Sequence, residues 1–220
     1  MKVLHIIPAT MNYFDDIKMA SFDIVQKLHE YGVDGDVITL QYDQPKQEVI
    51  EEISGNKEKK IKGIAKSFSY KSSIYLHEAL DLMNNYDLVH FHIPFMGAGK
   101  IILQKLNQKK SPPLVVSYYR SVKIVDALSI IISLYSQYYV NKLFKKAKAV
   151  ILFPQTCGED VITKTSENKL MDISINENDQ KKKRLDEDGI IEIKLNDEMH
   201  INISIDKLIC VYKTIINNSK

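Results

Sequence analysis

His90 and His92 flank Phe91 in the run Asp87-Leu88-Val89-His90-Phe91-His92. In a β-strand both imidazoles project from one face, and two histidines at that spacing are a fragment of a metal site. No third ligand is evident from spacing, so no metal is expected. His90 sits inside the run and reads as a core histidine. His92 ends the run ahead of Pro94, and the carboxyl ends of parallel strands are where open α/β sheets take their ligands.

Gly97-Ala98-Gly99-Lys100 invites comparison with a phosphate loop, because amides at a helix start attract anions. A Walker loop needs glycine five residues before the Gly-Lys pair and Ser or Thr after it, and Pro94 and Ile101 stand there instead. The dinucleotide pattern G-x-G-x-x-G fails at Ile102. Neither an ATP site nor a dinucleotide site is expected.

Charge is distributed unevenly along the 220 residues. The net charge is only +2, yet residues 100–150 carry 10 basic groups against one acid, Asp126. Alongside runs Ile124 to Val140, rich in Ile, Leu and Tyr but interrupted by Asp126, Ser129, Ser133, Ser136 and Gln137. That is too polar for a membrane span. It suits an amphipathic helix on an anionic membrane surface, with Lys142, Lys145 and Lys146 as contacts; the competing reading is a core helix with solvated lysines. Nucleic acid is not an expected partner, since no aromatic-basic RNA-binding motif occurs.

The elements that position these residues are legible from periodicity. Lys2 to Ile7 reads as a strand, the apolar positions Ala20, Ile24, Val25, Leu28 and Tyr31 as a helix stopped at Gly32, and Val37 to Leu40 as a second strand. Residues 43–70 are charged and weakly periodic. Further on come a helix around Tyr75 to Met83, a strand at Asp87 to His92, a helix from Gly97 to Gln108, a strand at Leu114 to Tyr118, a long helix from Ile124 to Phe144, and a strand at Ala149 to Phe153. Such alternation predicts a doubly wound, mostly parallel α/β sheet. Beyond Pro154 the character changes. Residues 164–188 read as a solvated charged loop, Ile190 to Ile193 as a short strand, and Ile205 to Ile216 as an amphipathic helix.

Cys157 and Cys210 fit neither a disulfide framework nor a cysteine-rich zinc site. The apolar stretch at the amino terminus is too short for a signal peptide, so a cytoplasmic location is expected, at the inner face of the membrane if the basic helix docks there.

Four segments in order resemble the amino-terminal domain of GT-B glycosyltransferases of the retaining family 4. They are Lys2-Val3-Leu4-His5-Ile6-Ile7-Pro8; Tyr86 to Pro94, which looks like the family's D-[VI]-V-H-x-H; Pro113 to Tyr119; and Phe144 to Ile151, like the family's strand after a basic helix. Asp206 to Lys213 is similar to the family's terminal helix, which crosses back onto this half. The resemblance implies a Rossmann-like acceptor-side domain over residues 1–160, a charged connection over 161–203 replacing the donor domain, and a carboxyl-terminal helix over 204–220. It implies the acceptor-binding half for sugar transfer from a nucleotide sugar, in cell-surface polysaccharide or glycolipid synthesis. The nucleotide sugar is then a co-substrate and no cofactor is tightly bound. The near-absence of a donor half implies a separate donor-domain polypeptide as partner, beside a carbohydrate or lipid-linked acceptor.

Carried onto this sequence, the resemblance makes His92 and Tyr119 the catalytic candidates, with His92 orienting an acceptor hydroxyl. Thr10, Asn12, Pro94, Gly97 and Arg120 become acceptor-side residues, Thr10 and Asn12 bonding sugar and Arg120 meeting phosphate. Two departures stand out. Where the family commonly has Gly-Gly after the first strand, this chain has Ala9-Thr10-Met11-Asn12, and where it often has histidine at the end of the strand after the double-histidine strand, this chain has Tyr119. They support an alternative: a non-catalytic glycan-binding or scaffold module with a degenerate glycosyltransferase fold.

Overall fold

The computed structural model describes residues 1–8, 15–39, 80–95, 99–108, 110–119, 127–153, 170–171, 190–194 and 200–219. Its frame is one parallel sheet. The strands are β1 (Lys2–Ile7), β2 (Asp34–Thr39), β3 (Leu88–Ile93), β4 (Leu114–Tyr118), β5 (Ala149–Leu152) and β6 (Leu170–Met171), in the order β2-β1-β3-β4-β5-β6. Every neighbouring pair is parallel. The helices are α1 (Asp15–Glu30), α2 (Gly99–Leu106), α3 (Ala127–Lys146) and α4 (Ile205–Asn217). This is the expected α/β Rossmann-like arrangement, with a carboxyl-terminal helix packed back on it.

Strands covered on both faces carry near-continuous apolar runs, and those of β1, β3, β4 and β5 explain why these segments lie at the centre. Alternate residues feed two layers. Leu4, Ile6, Phe91, Val116 and Val150 meet α2 and α3, through Ile102 and Phe144 among others. Val3, Leu88, Val115 and Ile151 meet α1 and α4, through Ile24 and Leu208 among others. The first layer holds the buried Asp36, bonded to the Tyr86 hydroxyl, at its β2 edge; the second holds His5, His90, His92 and Ser117 at 0–1% exposure.

Helix α1 stops as expected. Gly32 adopts φ +78°, and the amides of Gly32 and Val33 bond to the carbonyls of His29 and Leu28 at 2.9 and 3.0 Å, a left-handed cap suited to glycine. The chain winds from β1 outward to β2, then returns past β1 to β3. The winding direction therefore reverses between β1 and β3, and a crevice opens at the carboxyl ends of those strands. The Ile93–Pro94 peptide there is cis.

The described residues within the expected charged connection are strands. Within residues 161–203, β6 extends the parallel sheet, and β7 (Ile190–Lys194) pairs antiparallel with β8 (His200–Ser204). The anticipated short strand at Ile190 is present, and its partner β8 is an element that no expectation from the sequence included. Ser204 then caps α4, its hydroxyl accepting from the Lys207 amide at 3.3 Å. Two helices differ from expectation at their carboxyl ends: α2 ends at Leu106, two residues before Gln108, and α3 runs two residues beyond Phe144.

Candidate functional site

The buried polar cluster follows from register. His5 lies opposite His90 on the neighbouring strand, and His92 opposite Ser117. Residues paired across parallel strands point to the same face, so His5, His90, His92 and Ser117 all face α1 and α4. Those helices contribute Ser21 and Tyr212, and Tyr119 enters one residue past β4.

Two hydrogen-bonded chains result. In the first, the Tyr119 hydroxyl lies 2.8 Å from His92 Nδ1 and 3.3 Å from Ser21 Oγ, while His92 Nε2 lies 3.2 Å from His5 Nδ1. Ser21 donates to the Ile17 carbonyl at 2.7 Å. In the second, His90 Nε2 lies 2.8 Å from Ser117 Oγ, and His90 Nδ1 meets the Tyr212 hydroxyl. The His90 and His92 rings are 4.1 Å apart at their centroids, and Tyr119 stacks between His92 and Phe153. His5 Nε2 has no hydrogen-bond partner among the described residues.

The electrostatics follow from dryness. Burial holds the His5 imidazole down at about 3. His90 and His92 fall well below the ordinary histidine value, first through burial and then through the neighbouring imidazoles. Tyr119 and Tyr212 are pushed up, again chiefly by burial. At neutral pH the cluster is uncharged: neutral imidazoles and protonated phenols. Each neutral imidazole offers one N–H and one lone pair. Both nitrogens of His92 and both of His90 are engaged inside the protein.

The structure brings His92 and Tyr119 together, and the tyrosine at the position where the resemblance leads one to expect histidine bonds directly to His92. Pro94 follows β3 at the carboxyl edge. Thr10, Asn12, Gly97 and Arg120 lie outside the described residues. Lys142, Lys145 and Lys146 line a groove of about 490 Å³ between α2 and α3, joined by Lys100, Tyr138 and Tyr139. The Lys142 ammonium sits 3.8 Å above the Tyr138 ring and bonds its hydroxyl, which lowers the phenol's pKa.

The outward face of α3 changes character along its length. Its first turns expose Ile130, Ile131, Leu134 and Tyr138 at 45–63%, all on one side of the helix, and its last turns expose the three lysines. The helix has 20 residues and β4 has five, about 30 Å against about 17 Å. The amide of Lys148, just after α3, is anchored to the Leu114 carbonyl at the start of β4 at 2.8 Å. By length, the first turns of α3, around Ile130 and Ile131, therefore reach past the carboxyl edge of the sheet. Among the described residues no helix is long and apolar enough to cross a membrane.

Sequence reasoning missed His5, Ser21, Ser117 and Tyr212. One signal was available: a histidine within an otherwise apolar first strand has to meet other polar groups if that strand is central. The chain matches no known protein family and no curated protein.

Proposed function

We propose that this chain is a glycosyltransferase-like protein or subunit. In this reading it is the acceptor-binding half for sugar transfer from a nucleotide sugar, in cell-surface polysaccharide or glycolipid synthesis, with the donor half supplied by another polypeptide. The observation that carries the reading is the position of the bonded His92–Tyr119 pair, beneath the carboxyl edge and beside the β1/β3 switch point, where sheets of this class bind ligands. The exposed face of α3 supports an anionic membrane as the place of work, since apolar turns followed by lysines match acyl boundary and headgroup. A lipid-linked acceptor would then be met at that surface.

In this reading His92 acts as a positioning residue. Its ring is wholly buried with both nitrogens engaged, so it fixes the Tyr119 end of the edge and exchanges no proton with an acceptor. The same observation favours the second reading, a glycan-binding or scaffold module without turnover. Nucleotide sugars, the chain and the product of a neighbouring gene encoding a donor-type domain separate the two. Transfer that needs both polypeptides supports the subunit reading; glycan binding without transfer supports the module; neither binding nor transfer refutes both.

A further inference from the structure

Three wholly buried imidazoles are an unusual filling for the centre of a parallel sheet. We infer that His5, His90 and His92 form a binding site for one borderline divalent transition-metal ion of the zinc class, independent of the sugar-transfer reading. Each residue offers a ring nitrogen, and the three nitrogens lie within 4.8 Å of one another. His5 Nδ1 and His92 Nε2 are 3.2 Å apart, close to the roughly 3.3 Å edge of a tetrahedron with metal–nitrogen bonds of about 2.0–2.1 Å. His5 is 5.3 Å from His90 and 5.5 Å from His92, centroid to centroid, where three imidazoles on one tetrahedral ion stand about 5 Å apart. The His90–His92 separation of 4.1 Å is tighter, so His90 is the ring that turns on binding.

The surroundings are those of a metal site. Tyr119 holds Nδ1 of His92 and so directs Nε2 toward His5, as an outer-shell partner orients a ligating histidine. His90 is gripped by two hydroxyls, Ser117 and Tyr212, and exchanges one of them for the ion. His5 Nδ1 has its one hydrogen bond within the cluster, to His92 Nε2, so an ion between them replaces a single shared bond. A set of three imidazoles with no carboxylate selects zinc, copper, nickel or iron over calcium and magnesium. The fourth position falls to water or a hydroxyl.

The test uses the full chain, stripped with a chelator and dialysed separately against Zn²⁺ and Co²⁺. The expected result is about one ion per chain by elemental analysis, with Co²⁺ showing the intense visible absorption of a four-coordinate site. His5→Gln and His92→Gln lower affinity at least 100-fold, while replacing His29 or the exposed Cys210 changes nothing. Should the buried variants not fold, Tyr119→Phe, which keeps the ring, weakens binding by about 10–100-fold. Folded wild-type chain that takes up neither ion overturns the inference. So does uptake that survives in folded His5→Gln and disappears with His29 or Cys210.

Discussion

Acidification to pH 5.5 in the presence of a chelator should destabilise this protein sharply. Burial lowers the folded-state pKa of His5 to about 3 and those of His90 and His92 well below the ordinary value. The unfolded chain takes up protons near pH 6.5 that the native cluster refuses. More protons bound when unfolded means stability that rises with pH. The contribution is fully present above about pH 6.5 and is lost as pH falls from there toward the folded values, for His5 down to about 3. Each histidine in that window costs about 1.4 kcal/mol per pH unit. Between pH 7 and 5.5 the three together remove about 4 kcal/mol, a large share of the 5–15 kcal/mol typical of a domain. Urea unfolding at the two pH values reads this directly. His90→Gln should remove about one third of the pH dependence. A folding free energy that changes by less than about 1 kcal/mol over this range would refute the neutral, buried cluster.

Other perturbations follow from the same geometry. Tyr212→Phe takes a hydrogen-bond partner from buried His90 Nδ1 and should cost about 1–3 kcal/mol in urea unfolding; an unchanged midpoint would mean that α4 does not bond the sheet through this hydroxyl. Gly32→Ala places a β-carbon at φ +78° with open space around it, so its loss of about 1 kcal/mol is purely backbone strain. Reversing Lys142, Lys145 and Lys146 to Glu should weaken flotation with phosphatidylserine vesicles at least 100-fold, at about 1 kcal/mol per lysine. Leu134→Ser should weaken it at both low and high salt, and no loss from either change would leave α3 without a membrane role.

The fold was legible because its signals were local. Apolar runs such as Lys2–Ile7 and Leu114–Tyr118, divided by helical spacings, announce parallel strands wrapped by helices. The two-residue spacing of His90 and His92 placed them on one face. That they meet His5 depended on register between β1 and β3, strands separated by more than eighty residues, and no local pattern encodes register. Tyr212 was hidden differently: on the apolar stripe of α4 it looks like core, and only docking of that helix sets its hydroxyl beside His90. The β7–β8 hairpin was obscured by charge, since acids flanking a short strand outweigh its alternation in any reading by composition. Tyr119, marked as a substitution for histidine, turns out to partner the histidine two strand positions before its own register.

In the proposed function, carbohydrate binds at the carboxyl edge of β1, β3 and β4. Nitrogen-15 NMR of the isolated chain, titrated with candidate polysaccharide repeats and glycolipid headgroups, tests that most directly. Amide shifts concentrated at Ile93, Phe95 and Tyr119 are predicted. Shifts concentrated instead at the opposite edge, near Asp34, Asp87 and Lys148, or none with any glycan tried, would contradict it.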